Sequence, residues 1–113
     1  MIRRGEVWWA ELREPTGSEP GFKRPVVILQ SDDFNVSKIQ TVVAAVVTSK
    51  LHLASAPGNV MLKSQDSGLP KDSVVNVSQI ITVDKTFLTE QCRKLPPKII
   101  SMIEIGVKLV LSL

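Results

Sequence analysis

Cysteine and histidine are almost missing from this 113-residue chain: Cys92 is the one cysteine and His52 the one histidine. A single thiol cannot close an internal disulfide and has no partner for a cysteine-based metal site. A single imidazole, with no cluster of Asp, Glu or Cys beside it in sequence, makes a metal centre, Ser-His-Asp catalysis and two-histidine chemistry all awkward. His52 lies in a loop-like stretch and reads as a surface residue. No apolar run reaches the roughly 18 residues of a membrane span. Ile2-Arg3-Arg4 and the strand-like segment after it leave no room for a signal peptide. The expectation is therefore a cytoplasmic protein without a membrane partner. Gly5, Gly17, Gly21, Gly58, Gly68 and Gly106 are too scattered to cradle phosphates together, and neither a P-loop nor a dinucleotide fingerprint is present. Repeats, low-complexity tracts and linkers are missing too.

What is present describes one globular domain over residues 1–113. Apolar residues make up 43% and charged residues 22%, enough for a modest core. The net charge of +3 and a pI near 9.2 permit a polyanionic partner without demanding one.

The chain is organised around Gly17 to Gln30. Its first half is small, polar and punctuated by Gly and Pro, so it reads as an exposed loop. Its second half, Arg24-Pro25-Val26-Val27-Ile28-Leu29-Gln30, reads as a strand covered on both faces. Pro25 has no N–H and is expected at the strand's start or on an edge. Arg24 sits at the junction, where a strand can fix a guanidinium and a loop can shape a pocket over it.

Other strands are expected over Gly5–Leu12, Gln40–Thr48, Asn59–Lys63, Ser73–Val77 and Gln79–Val83. Side chains alternate along a strand, so Trp8 and Trp9 cannot both face a single core. One belongs in the core and the other at the surface or in a subunit contact; a base-stacking platform is the sharper alternative. Ser31-Asp32-Asp33-Phe34-Asn35 is a turn or short helix, with Ser31 or Asp32 as N-cap. Leu51–Asn59 reads as a loop, and Asp66–Lys71 as a turn. Thr86–Leu95 reads as a helical turn followed by a short strand.

From Pro96-Pro97 to Leu113 the pattern is helical. Lys98, Ser101, Glu104, Lys108 and Ser112 form one narrow polar stripe, with Glu104 and Lys108 spaced for an ion pair. Ile99, Ile103, Val107 and Val110 line one flank; Met102, Ile105, Leu109 and Leu113 line the other. An arc this wide exceeds one core-facing stripe, so the helix should bury one surface on its own sheet and one on a partner, most simply a second copy. Short strands with Gly/Pro turns and one C-terminal helix give a mainly β, α+β fold: a strongly bent antiparallel sheet or partly open barrel.

Residue type leaves Arg24 and Thr48 at strand ends, with Lys23, Lys50, Lys71, Ser18, Ser73 and Gln79 as possible neighbours. Taken singly these are ordinary residues, and spacing carries the reading no further.

In order and spacing, however, several pieces resemble the MazF/PemK (Kid) toxins of bacterial toxin–antitoxin systems. They are Gly5-Glu6-Val7-Trp8-Trp9, Gly17-Ser18-Glu19 with Arg24 to Gln30, Val46-Val47-Thr48-Ser49, Asp72 to Ile80, and Thr82-Val83-Asp84-Lys85. The resemblance covers essentially the whole chain. It implies an SH3-like, CcdB/PemK-type antiparallel barrel with a C-terminal helix, forming homodimers. It implies metal-independent, cofactor-free, sequence-specific cleavage of single-stranded RNA, typically mRNA, leaving a 2′,3′-cyclic phosphate or 3′-phosphate and a 5′-hydroxyl. It implies a cognate, MazE-like antitoxin whose acidic tail covers the RNA site. The family's catalytic Arg and Thr fall on Arg24 and Thr48. Ser18, Glu19, Lys23, Lys50, Ser73 and Gln79 fall among or beside its substrate-contacting positions. One departure is Phe87 before Leu88, where the family often has a basic residue; it bears on specificity or surface charge rather than on the catalytic pair. The rival from another class is a CcdB-like toxin that poisons DNA gyrase without catalysis, through a C-terminal tip bearing Trp; here the tip is Val110-Leu111-Ser112-Leu113. A non-catalytic binding module is a third reading.

Overall fold

The computed structural model describes residues 1–12 and 23–113. Strands β1 (Glu6–Glu11), β2 (Lys23–Ile28), β3 (Thr41–Thr48), β4 (Val60–Leu62), β5 (Ser73–Asp84) and β6 (Leu88–Lys94) form one antiparallel sheet in the order β4-β5-β3-β2-β1-β6. Helical turns α1 (Asp32–Asn35) and α2 (Ser64–Ser67) and the C-terminal helix α3 (Pro97–Leu111) complete it, with 3-10 turns over Leu51–Ser55 and Lys85–Phe87. The edges β4 and β6 do not pair, so the sheet remains a curled half-barrel, the expected mainly β architecture.

Both faces of the sheet carry a core. One face brings together Val7, Val27, Ala45, Val47, Val75, Val77 and Ile103 beneath α3, and the other Ala10, Val26, Ile28, Val42, Ala44 and Val83. Alternation sends Trp9 to the first core and Trp8 to the second, each half-buried. The expected division into one core and one surface Trp is therefore corrected: a curled sheet has two apolar faces. Trp8 Nε1 donates to the buried Glu6 carboxylate at 3.0 Å, which also accepts from Gln91 Nε2 at 2.8 Å.

Two expected strands merge into β5. Its pairing with β3 jumps from Ala45↔Ile80 to Val46↔Asn76, leaving three residues of β5 in a bulge at Val77-Ser78-Gln79. A bulge bends the strand and resets its facing. Asn59 supports it: Oδ1 accepts from Val77 N at 3.0 Å, while Nδ2 donates to Leu53 O at 2.9 Å. Pro25 lies just outside the β2–β3 ladder, which starts at Val26, so its missing N–H costs no bond there.

Helix α3 buries Ile103 and Gly106 and half-buries Ile99, Ile100 and Val107 against the first core. Met102, Ile105, Leu109 and Leu113 are exposed, Ile105 by 68% and Leu113 by 84%. The expected second apolar surface is thus bare in one chain. Glu104 pairs with Arg4 at 2.8 Å rather than with Lys108, tying the helix to the N-terminal segment. Ser31 takes the N-cap position of α1 without a side-chain capping bond; Asp32 Oδ1 instead accepts from Arg4 N at 2.8 Å and from Asn35 Nδ2 at 3.0 Å.

Candidate active site

The site grows from the shared end of β2 and β3. These strands are antiparallel, and Val26 pairs with Val46. Arg24 lies two residues before the first and Thr48 two residues after the second, so one register carries both to the same end of the sheet. There they line a pocket of about 450 Å3 with Trp9, Lys23, Pro25, Val47, Ser49, Lys50, Leu69, Pro70, Lys71 and Ser73. Thr48 and Ser73 are buried, 7% and 4% exposed, whereas Lys23, Lys50 and Lys71 are exposed and Arg24 is half-buried. Polar hydroxyls therefore form the inner wall and cations the rim.

Local bonds hold that wall. Thr48 Oγ1 accepts from Lys50 N at 3.2 Å, fixing the hydroxyl at the turn after β3. Ser73 Oγ donates to Lys71 O at 3.0 Å. The opposite wall is the turn from Gly68 to Lys71. Ser67 Oγ accepts from Leu69 N at 3.1 Å, Asp72 Oδ1 accepts from Ser64 N at 2.8 Å, and Leu69 anchors the turn in the core. Four cationic side chains line this pocket, with no carboxylate among its described lining residues. Such a field favours an anion, and the guanidinium adds two parallel donors suited to phosphate oxygens.

A second pocket of about 560 Å3 shares Trp9, Lys23 and Pro70 with the first and adds Gly68, Glu90, Gln91, Cys92 and Arg93. Burial, then the charge of Glu90, pushes the Cys92 thiol above its ordinary pKa, so it is a neutral, half-buried wall rather than a nucleophile.

Arg24, Thr48, Lys23, Lys50 and Ser73 thus come together. Gln79 does not: it lies exposed on the β5 bulge, its Oε1 accepting from Asn76 Nδ2 at 3.1 Å. Ser18 and Glu19 lie outside the described residues. His52 is exposed in the 3-10 turn after β3 and lines neither pocket. Among the described residues, no three of His, Cys, Asp and Glu group as metal ligands. Trp9, one of the two tryptophans the sequence offered as a possible stacking platform, lines the site, whereas Leu69-Pro70 had no signal in the sequence; a period-two reading places Trp9 on the Val7 face, but only the folded chain brings the 68–71 turn against it.

A half-barrel of six antiparallel strands, covered on one face by a C-terminal helix, with a cationic pocket at one sheet end that has no carboxylate among its described lining residues, defines a small β protein whose pocket suits an anion. The chain belongs to the PemK-like, MazF-like toxins of type II toxin-antitoxin systems, whose family model matches residues 3–111. It is 45% identical over 113 residues to endoribonuclease MazF2 of Mycobacterium bovis and to endoribonuclease MazF6 of Mycobacterium tuberculosis, covering 100% of this chain and 99% of each relative. Among solved structures, a mycobacterial endoribonuclease in complex with its cognate antitoxin superimposes with a TM-score of 0.81 at 23% identity, covering 100% of this chain and 97% of that one. The Mycobacterium tuberculosis toxin MazF-mt6 gives 0.78 at 19% identity, with 96% and 97% covered. At these identities the structures speak for the fold.

Proposed function

We propose that this toxin is a sequence-specific endoribonuclease acting on single-stranded RNA, mRNA above all, with Arg24 and Thr48 as its catalytic pair. The observation that carries the reading is their convergence in one cationic pocket with no carboxylate among its described lining residues. The full-length relatives named as endoribonucleases support it and favour cleavage over a CcdB-like poisoning of DNA gyrase.

The ribose 2′-oxygen attacks the adjacent phosphorus in line. The new O2′–P bond forms as the P–O5′ bond breaks, leaving a 2′,3′-cyclic phosphate and a 5′-hydroxyl; the 2′ proton is lost and the 5′-oxygen gains one. Arg24 donates paired hydrogen bonds to the phosphate oxygens as charge develops. A guanidinium is a donor with no acceptor lone pair, which suits it to charge stabilisation rather than to acting as a base. Thr48 Oγ, already held by Lys50 N, orients the 2′-hydroxyl or bonds a phosphate oxygen. Lys23, Lys50 and Lys71 draw the backbone in, and Ser73 contributes a buried hydroxyl. Bases splayed from the backbone, read on their edges, supply the specificity.

The bare flank of α3 (Met102, Ile105, Leu109, Leu113) serves a homodimer. An antitoxin with an acidic segment neutralises the cationic pocket by occupying it. The setting is the cytoplasm; among the described residues, no helix is long and apolar enough to cross a membrane.

The test is incubation of the purified protein with mixed-sequence single-stranded RNA in EDTA, beside Arg24→Ala, with the fragment ends mapped. Discrete cuts with cyclic-phosphate ends, lost in the variant, are expected. Intact RNA, or equal cleavage by both proteins, sinks the reading.

A further inference from the structure

Trp9 is the shared wall of two pockets. On one side lies the pocket holding Arg24 and Thr48; on the other lies the second pocket, rimmed by Lys23, Pro70, Glu90, Cys92 and Arg93. The two are neighbouring compartments of one groove. Across β1 and β6, Trp9 pairs directly with Glu90, so their side chains stand side by side on the same face of the sheet. Glu90 is exposed, and the sole ion pair among the described residues, Arg4–Glu104, does not involve it.

The remaining walls are built rather than incidental. Arg93 Nη1 donates to Gln65 O at 2.7 Å, which pins the guanidinium on α2. Its stem lies against Gly68, where a Cβ would stand 2.9 Å from Arg93 Cγ; the glycine, at φ +78°, leaves room for that packing. Thr89 Oγ1 donates to Trp9 O at 3.3 Å, bracing β1 beside its aromatic ring. The volume of about 560 Å3 lies within the roughly 300–1,000 Å3 of small-ligand pockets.

Resting on the ribonuclease reading above, we propose that this second pocket is a base-recognition subsite for the nucleotide next to the scissile phosphate, with Trp9 as its stacking wall and Glu90 as the reader of the base edge. Three features select that occupant. The groove is continuous with the phosphate pocket, so the neighbouring nucleotide of the same strand is what reaches it. Lys23 and Arg93 stand at its rim for the connecting backbone, while Trp9 and Pro70 offer flat apolar surface for a ring. A carboxylate on an RNA path repels phosphate and is useful only toward hydrogen-bond donors. A carboxylate accepts and cannot donate; uracil offers it one N3–H flanked by two carbonyl oxygens that repel it, so it favours guanine, cytosine or adenine, each of which presents an exocyclic amino group.

The experiment starts from the mapped cut sequence. Four RNA oligonucleotides are made for each position flanking the cut, differing only in that base, and kcat/KM is measured for the wild type, Glu90→Gln and Glu90→Ala. Glu90 is exposed on the edge strand, so melting temperatures should match the wild type. At one flanking position the wild type should prefer amino-bearing bases, and both variants should lower that preference about 10-fold. A wild type that favours uracil at both flanking positions, or variants that keep the wild-type base profile, would overturn the subsite while leaving the ribonuclease intact. RNA left whole by the wild type would instead remove the ribonuclease reading, and the subsite with it.

Discussion

Arg24 and Thr48 occupy matching positions at one end of β2 and β3, each two residues beyond the Val26–Val46 pair, and both line the cationic pocket. The backbone ladder itself sets their spacing. Replacing Arg24 with Ala should lower RNA cleavage by about 10²- to 10³-fold or more, the cost of losing charge-stabilising donors in a transition state. Arg24→Lys should recover little, because an ammonium lacks the paired donor geometry. Single-turnover cleavage rates check both variants.

Thr48 separates structure from chemistry. Thr48→Val keeps the β-branched shape and loses the hydroxyl that accepts from Lys50 N. Stability should fall by about 1 kcal/mol or less, the net worth of one hydrogen bond. Cleavage should fall far more, by about 10²-fold. Thr48→Ser should retain most of the activity. Thermal melts beside cleavage rates distinguish these effects.

The bare flank of α3 predicts an assembly defect. Ile105→Asp or Leu109→Asp places a charge on a face that a homodimer would bury, and desolvating that charge without a partner costs several kcal/mol. Light scattering should show dimers for the wild type and monomers for either variant. Dimers in both would assign the contact to another surface.

Gly106 marks where α3 touches the loop before β4. A Cβ added there would stand 2.1 Å from the Gly58 carbonyl oxygen, a backbone atom that cannot swing aside. Gly106→Ala should therefore destabilise the fold by roughly 1–3 kcal/mol, despite alanine's better helix propensity. A melting temperature equal to or above the wild type's would contradict the close contact.

Asp32 gives an acid-side signature. Hydrogen bonds from Arg4 N and then Asn35 Nδ2 hold its carboxyl below the ordinary aspartate value of 3.8. A depressed folded-state pKa contributes stability that is present above that value and is lost as the pH falls from there through the folded-state pKa. Asp32→Asn should remove that contribution, lowering stability modestly at neutral pH and flattening the acid part of the stability–pH curve. Urea midpoints between pH 2 and 7 test it.

Much of the fold was legible in the residues. The runs Val26–Ile28 and Val42–Val47 carry no polar break, and they became the doubly covered central strands. The two apolar flanks of α3 were visible because a helix repeats its faces every 3.6 residues. The break expected near Ser78 was real, but it is a bulge within one strand. A local pattern cannot tell an interrupted strand from a bent one when the partner strand decides the pairing.

The site divides in the same way. Scarce histidine and cysteine, a basic bias, an Arg at one strand start, a Thr at another strand end and a helix too apolar for one core can all be read along the chain. Those are properties of composition and periodicity, which depend only on neighbours along the chain. Only the folded chain brings Trp9, Glu90 and the Gly68–Lys71 turn into one groove, turns Glu104 to Arg4 instead of Lys108, and leaves Gln79 out of the pocket lining. Those relationships depend on strand order, on register and on the bulge in β5, where segments far apart in sequence meet; no local preference of either segment specifies such a meeting.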